Sequence, residues 1–206
     1  FTCKINSQVA VKGYTADSAP IVIPVNTPGY SAIEAPTDYV ADSVSYTSAG
    51  FIYVAAGCRG RDAGAPAGVT DLKAAIRYIR YNDGVIPGDV DRVFSFGMSG
   101  GGGQSALLGA TGDSEDYEPY LTAIGAVSGV SDAVTGSMCW CPITELDYAD
   151  EAYEWNLGNT RTDLTEQEQT LSNGMAEAFA TYINELGLKD ASGNELTLTE
   201  SEDGVY

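Results

Sequence analysis

Ser99 is the residue whose type and surroundings point most directly to chemistry. It stands between Gly97 and Gly101 in a G-x-S-x-G pattern, which is typical of a nucleophile elbow, a sharp strand-to-helix turn that exposes a serine hydroxyl. Glycine suits the positions two before and two after the serine, because side chains there would collide. The alternative interpretation is a glycine-rich turn whose serine has no chemical role.

The flanking segments favour the nucleophile. Residues 92–96 are a short apolar run of strand composition, and residues 104–108 follow the glycines as helix formers. A helix that begins here directs its unpaired N–H groups and the positive end of its dipole at the serine, which favours a developing oxyanion. We therefore predict that Ser99 is a nucleophile at the carboxyl end of a strand.

Two earlier strands also end in polar loops. Residues 21–25 and residues 51–56 are apolar runs typical of buried parallel strands. The first leads into Asn26–Tyr30, where Gly29 allows a close backbone approach, so this loop either donates an N–H group to an oxyanion hole or is simply a Pro-Gly turn. The second leads into a loop with Cys58, a candidate for lining a pocket at the carboxyl edge of the sheet.

The spacing of apolar residues predicts a helix that connects the second and third strands. Residues 70–81 carry an apolar face at Leu72, Ala75, Ile76 and Ile79, while Lys73, Arg77 and Arg80 fall on other faces. Strand, helix, strand, elbow and helix then follow in order. That alternation predicts an α/β fold, with a mostly parallel sheet flanked by helices.

The remaining elements complete the predicted organisation. We expect a strand at 9–11, a weak helix at 38–44, a helix at 117–124 and a buried strand at 136–142. Further along we expect a helix from the Thr165–Glu168 capping box to Leu186, a turn at 190–194 and a short strand at 196–198. In the acidic and aromatic stretch between them, Asp147 and Trp155 either border a pocket or belong to the surface. We predict a partial α/β core over 1–155 and the start of an inserted cap over 156–206.

Composition excludes several classes of partner. The net charge is −19, and residues 101–206 carry 20 acidic and 2 basic side chains against 9 and 8 in residues 1–100. This excess argues against nucleic acid and anionic membranes, and indicates a solubilising surface rather than an electrostatic docking site. Four cysteines without any histidine do not form a metal pattern; buried thiols are favoured over a disulfide.

Three blocks of sequence resemble bacterial tannase-like and feruloyl-esterase-like α/β-hydrolases. Residues 67–82 resemble the helix before the elbow in that family. Residues 97–101 together with 105–112 are similar to its nucleophile segment, and residues 141–144 with 152–155 are similar to the segment after its next strand. The resemblance covers residues 13–155 and weakens beyond Trp155.

The resemblance implies hydrolysis of phenolic-acid esters, galloyl or feruloyl, by a Ser-Asp-His triad without a cofactor. It makes Ser99 the nucleophile, with the backbone N–H of Gly100 and one from Gly29 or Tyr30 forming the oxyanion hole. Relatives usually carry alanine where this chain has Gly100.

The larger departure is the absence of histidine from all 206 residues, since the serine needs a base to take its proton. We expect the histidine and its Asp or Glu partner to come from a second polypeptide segment outside this chain, because the family places both beyond its cap. The alternative is an inactive relative that binds a ligand or a partner in the same pocket. A lysine base is disfavoured by the positions of Lys73 and Lys189.

Overall fold

The computed structural model describes residues 13–198. The predicted strand at Val9–Val11 and Cys3 lie outside the described residues. The strands are β1 (Pro20–Val25), β2 (Ile52–Tyr53), β3 (Asp89–Met98) and β4 (Gly136–Trp140); the helices are α1 (Ser43–Ser48), α2 (Ala67–Tyr81), α3 (Gly100–Ala110), α4 (Glu118–Ala123), α5 (Ala149–Leu157) and α6 (Glu166–Glu185), with 3₁₀ turns at Pro28–Tyr30, Arg61–Ala63, Glu115–Tyr117 and Gly158–Thr160.

The four strands form one parallel sheet in the order β2-β1-β3-β4. The predicted α/β fold with helices between parallel strands is therefore confirmed. The register pairs Val25 of β1 with Gly97 of β3, and Gly97 in turn with Cys139 of β4. β3 thus ends between its two neighbours, and the residue that follows it emerges at the centre of the carboxyl edge.

The core lies between β1, β3 and α2. The predicted apolar face of α2 is confirmed, since Leu72, Ala75, Ile76 and Ile79 are all buried together with Ile21 and Ile23 of β1. α2 begins at Ala67, three residues before the predicted start, and Pro66 occupies its N-cap position.

Lys73 and Arg77 are buried although they lie off the apolar stripe of α2. The Lys73 ammonium, fully inaccessible, donates to the Asp132 carboxylate at 2.7 Å and to the Thr111 carbonyl at 2.6 Å. Arg77 donates to the other oxygen of Asp132 at 2.9 Å and also pairs with Glu118. Periodicity ranks residues by hydrophobicity and so cannot identify a charge that is buried because it is paired.

Four predicted elements differ from the structure. The helix expected at 38–44 begins only at Ser43, and the strand expected over 51–56 is regular at only two residues, because it lies at the edge of the sheet. β4 is half-exposed rather than buried. Within the described residues, 196–198 do not form the expected strand. Instead of pairing with a neighbouring strand, Leu198 forms hydrogen bonds through its N–H and its carbonyl with the Asn184 side chain.

The chain divides into two compact units, Phe1–Thr144 and Glu145–Tyr206. The helices α5 and α6 pack against each other in the second unit, and the predicted boundary at 155/156 stays a prediction. Within the second unit the ring of Trp155 packs 5.5 Å from that of Phe179, and Glu154 pairs with Arg161 and accepts from Ser172. The predicted capping box of Thr165 and Glu168 is present at the start of α6. That this unit begins a cap stays a prediction.

Cys58 is buried, Cys139 is half-buried and Cys141 is exposed, and all three are free thiols. Between residues 13 and 198, no helix combines the length and the apolarity that crossing a membrane requires.

Candidate active site

Ser99 stands at the junction between β3 and α3. Its backbone is left-handed (φ 55°, ψ −122°), an arrangement that costs roughly 1–3 kcal/mol and persists only where the surroundings fix it. The Ser99 N–H donates to the Trp140 carbonyl of β4 at 3.0 Å. Its side chain makes no capping bond to α3, so the hydroxyl is left for other partners.

Glycine is required on both sides of Ser99, as the motif predicts. A Cβ on Gly97 would lie 2.5 Å from the carbonyl carbon of Gly101, and a Cβ on Gly101 would collide with the Val25 carbonyl oxygen. Both contacts are to backbone atoms, which cannot rotate away. The start of α3 therefore packs against the ends of β1 and β3 at a distance that only glycine permits.

Close backbone packing also explains why residue 100 is glycine. A Cβ there would lie 2.5 Å from both the Thr27 carbonyl oxygen and the Tyr30 nitrogen, and 3.2 Å from the Gly29 nitrogen. The turn after β1 thus rests directly on the first residue of α3. An alanine at this position would require that turn to move.

The structure brings the backbone N–H groups of the predicted oxyanion donors to one place. Gly100 is the first residue of α3, so its N–H has no acceptor within the helix. In the turn after β1 the Tyr30 N–H is engaged, since it donates to the Thr27 carbonyl at 3.0 Å. The Gly29 N–H precedes this closing bond and has no acceptor within the turn. Of these two N–H groups, that of Gly29 is therefore the one available to donate, and its oxyanion role stays a prediction.

Three side-chain hydrogen bonds fasten the turn after β1. The Thr27 hydroxyl donates to the Gln104 side chain of α3 at 3.2 Å, Arg61 donates to the Gly29 carbonyl at 3.3 Å, and the Tyr30 hydroxyl donates to the Ile143 carbonyl at 2.6 Å. Sequence reasoning missed Gln104, Arg61 and the Tyr30 hydroxyl. The available signal was the run of four glycines from Gly100 to Gly103, which is unfavourable in a helix unless other groups approach it closely.

Cys58 lies in the loop that follows β2 and forms an antiparallel bridge with Ile33, with N–H···O distances of 2.9 Å in both directions. Burial, followed by the charge of Asp71, raises the pKa of its thiol, against a smaller lowering by the backbone of Ile33. The thiol is therefore neutral at physiological pH and fills space in the core.

Asp147 and Trp155, the other predicted pocket residues, belong to the second unit. The Asp147 N–H donates to the Glu145 carboxylate at 3.0 Å, and the Trp155 ring packs against Phe179. The structure brings together Ser99, Gly100, Gly29 and Tyr30 within the first unit, and the pocket roles of Asp147 and Trp155 stay predictions. Within residues 13–198 no group of three or more acidic or thiol side chains is arranged to hold a metal ion.

Comparisons with known proteins bear on the family and the fold of the chain. A family model described as BD-FAE matches residues 9–184. Three solved structures are similar over most of the chain. Fusobacterium nucleatum tannase is 38% identical, with a TM-score of 0.69 over 93% of this chain and 48% of its own. The tannin acyl hydrolase of Lactobacillus plantarum is 37% identical, with a TM-score of 0.69 over 92% of this chain and 47% of its own. A tannin acyl hydrolase in complex with ethyl gallate is 38% identical, with a TM-score of 0.70 over 92% of this chain and 47% of its own.

The chain spans about half the length of these solved structures. A search of curated proteins finds no significant match. The structural matches agree with the parallel sheet and its flanking helices, and the family match covers most of the chain. The chain therefore belongs to the BD-FAE family, as a tannase-like and feruloyl-esterase-like α/β-hydrolase.

Proposed function

We propose that this chain carries the nucleophile of a serine carboxylic-ester hydrolase that acts on phenolic-acid esters. The observation that carries the proposal is the strained backbone of Ser99 at the central strand end, beside the unpaired N–H groups of Gly100 and Gly29. Strain of this kind is retained where surrounding structure fixes it, as in active sites. Here the surrounding glycines and the turn after β1 fix it.

The geometry supports acyl transfer in two steps. A base removes the proton of Ser99 as its Oγ bonds to the ester carbonyl carbon, and the carbonyl oxygen becomes an oxyanion that the N–H groups of Gly100 and Gly29 stabilise. Collapse of this intermediate expels the alcohol, which takes the proton from the base. Water then attacks the acyl-enzyme by the same route, and releases the acid and the free serine.

The base is proposed to be a histidine from a polypeptide segment outside this chain, oriented by an Asp or Glu of that segment. None of the 206 residues is a histidine. The carboxylates of the chain are weak bases at neutral pH unless burial raises their pKa values, and Lys73 is already paired with Asp132. The relatives are about twice as long as this chain, so they have room for such a segment.

The proposed substrate class follows from the family and from one relative. A similar tannin acyl hydrolase is seen in complex with ethyl gallate, an ester of a trihydroxylated benzoic acid. We extend that class to this chain, so that the acyl group is a phenolic acid and the leaving group an alcohol. No cofactor enters the proposed reaction.

Labelling with a fluorophosphonate tests the nucleophile. In the protein with all of its polypeptide segments, the probe should modify Ser99, and Ser99→Ala should lower ethyl gallate hydrolysis by at least about 10⁴-fold. Ser105→Ala is the matched control: Ser105 is a buried serine of α3 whose hydroxyl has no hydrogen-bond partner, and its loss should leave turnover unchanged. Full turnover by Ser99→Ala would remove Ser99 from the mechanism.

The absence of histidine also favours a second candidate, an inactive relative that binds a ligand or a partner at this site. Intact-mass measurement of the isolated protein separates the two. A histidine-containing segment together with turnover supports the hydrolase. Binding of ethyl gallate without turnover, in a sample that holds only this chain, supports the binding module.

A further inference from the structure

The turn after β1 is strained at a residue that is not glycine. Gly29 and Tyr30 are both left-handed, with φ values of 56° and 59°. Glycine adopts such a backbone readily, whereas a tyrosine does so only where surrounding contacts compensate. Contacts of the Tyr30 side chain must therefore stabilise this turn.

The Tyr30 hydroxyl connects the two loops on either side of the elbow. It donates to the Ile143 carbonyl at 2.6 Å, across 113 positions of sequence. Tyr30 follows β1 and Ile143 follows β4, and in the sheet β3 lies between those two strands. The tyrosine side chain thus spans the end of β3, where Ser99 stands.

The start of α3 is shaped to let this side chain pass. A Cβ on Gly103 would collide with the Tyr30 hydroxyl and would lie 2.6 Å from the Ile143 carbonyl oxygen. Gly103 is therefore glycine because the hydroxyl and its acceptor occupy the space that a side chain would fill. The contact depends on residues from three separate segments of the chain.

We propose that the Tyr30 side chain is the positioning residue of this site: by donating to the Ile143 carbonyl, it holds the turn after β1 so that the Gly29 N–H faces the oxyanion formed at Ser99. The inference rests on the proposed function. Oxyanion donors act on charge that exists only in the transition state. Loosening the turn should therefore slow the chemical step and leave substrate binding unchanged.

Tyr30→Phe tests this directly, because it removes one oxygen and keeps the ring. Loss of a whole oxyanion donor lowers kcat by about 10²–10³-fold. A donor that is displaced but not removed should cost less, about 10-fold in kcat, with KM for ethyl gallate within about twofold. Rates are expressed per active site titrated with the fluorophosphonate, since a merely structural role would reduce the number of active sites and not the rate of each.

Tyr46→Phe is the matched control. It removes the hydroxyl of another tyrosine of the first unit, whose ring stacks 5.3 Å from that of Phe96, and should leave both constants unchanged. A second variant, Gly103→Ala, displaces the same hydroxyl from the helix side. It should also lower kcat per site, and its effect should be smaller in a Tyr30→Phe background than in the native one.

An unchanged kcat per site in Tyr30→Phe, or a change confined to KM, overturns the inference. Should Tyr30→Phe not fold, an unchanged kcat per site in Gly103→Ala overturns it instead. Failure of the proposed function has a different signature, namely turnover that survives Ser99→Ala.

Discussion

The two ends of the sheet in the first unit are built by opposite means. At the carboxyl end, around Ser99, backbone lies against backbone: Gly97, Gly100 and Gly101 meet carbonyl oxygens and nitrogens where a Cβ would not fit. At the other end, before β3 and β4 begin, long charged side chains fill the space, with Lys73 and Arg77 sharing the two oxygens of Asp132.

The hydrogen bonding at the two ends differs as well. The Asp132 carboxylate accepts from Lys73, from Arg77 and from the Asp113 N–H, so the buried charges are paired and bonded. At Ser99 the N–H groups of Gly100 and Gly29 have no acceptor within their own turns. Removing a charged side chain should therefore disturb the end around Asp132, here called the paired end. Adding a side chain should disturb the end around Ser99, here called the glycine end. The end with unpaired donors is the one suited to a developing charge.

The largest expected effect comes from breaking the paired end. Asp132→Ala leaves the fully buried Lys73 ammonium without its carboxylate and should lower the free energy of unfolding by about 3–5 kcal/mol, since an uncompensated buried charge is costly. Urea denaturation measures the change. Asp38→Ala, at an exposed aspartate of the same unit, is the control and should stay within about 0.5 kcal/mol of the native protein. Equal midpoints for the two variants would mean that the buried pairing contributes little.

A methyl group added at the glycine end should have a smaller but clear effect. Gly101→Ala places a Cβ against the Val25 carbonyl and should destabilise the protein by about 1–3 kcal/mol. Gly174→Ala in α6 is the matched helix control, because nothing lies within 4 Å of its Cβ position. It should stabilise by up to about 1 kcal/mol through helix propensity. The melting temperatures of the two variants are measured by thermal unfolding. If both substitutions shifted the melting temperature in the same direction, the comparison would be contradicted.

The smallest effect concerns the pH dependence of the paired end. Burial alone would raise the pKa of Asp113, but hydrogen bonds from the Ser131 hydroxyl and the N–H groups of Asp132 and Ala133, with the charge of Arg80, hold it below its ordinary value of 3.8. Because the folded pKa is the lower one, this carboxylate stabilises the fold above the unfolded-state pKa, and the contribution is lost as pH falls through the folded pKa.

Asp113→Asn should therefore lower the urea midpoint at pH 6 and approach the native midpoint near pH 3. Asparagine tolerates the left-handed backbone of Asp113 (φ 57°), so the comparison isolates the charge. A midpoint difference that stayed constant from pH 6 to pH 3 would exclude ionisation as its cause.

Local patterns sufficed to predict several elements of both units. The apolar spacing of α2, the break at Gly97 and the capping box of Thr165 each involve residues within a few positions of one another, so periodicity and turn chemistry identify them. They indicated a parallel sheet and the place of Ser99 at the end of a strand. Patterns failed where long-range pairing overrides local preference, as in the burial of Lys73 and the shortening of β2 at the sheet edge.

The sequence by itself determined the class of fold and the residue type at the elbow, because a strand, a glycine-flanked serine and a helix follow one another directly along the chain. Only the tertiary structure decided which donors surround that serine. The turn after β1, the start of α3 and the segment after β4 are far apart in sequence, and they meet only because β1, β3 and β4 are neighbours in one parallel sheet. The proposal of Gly29 rather than Tyr30 as the oxyanion donor depends on that meeting, and so does the bond from the Tyr30 hydroxyl to Ile143.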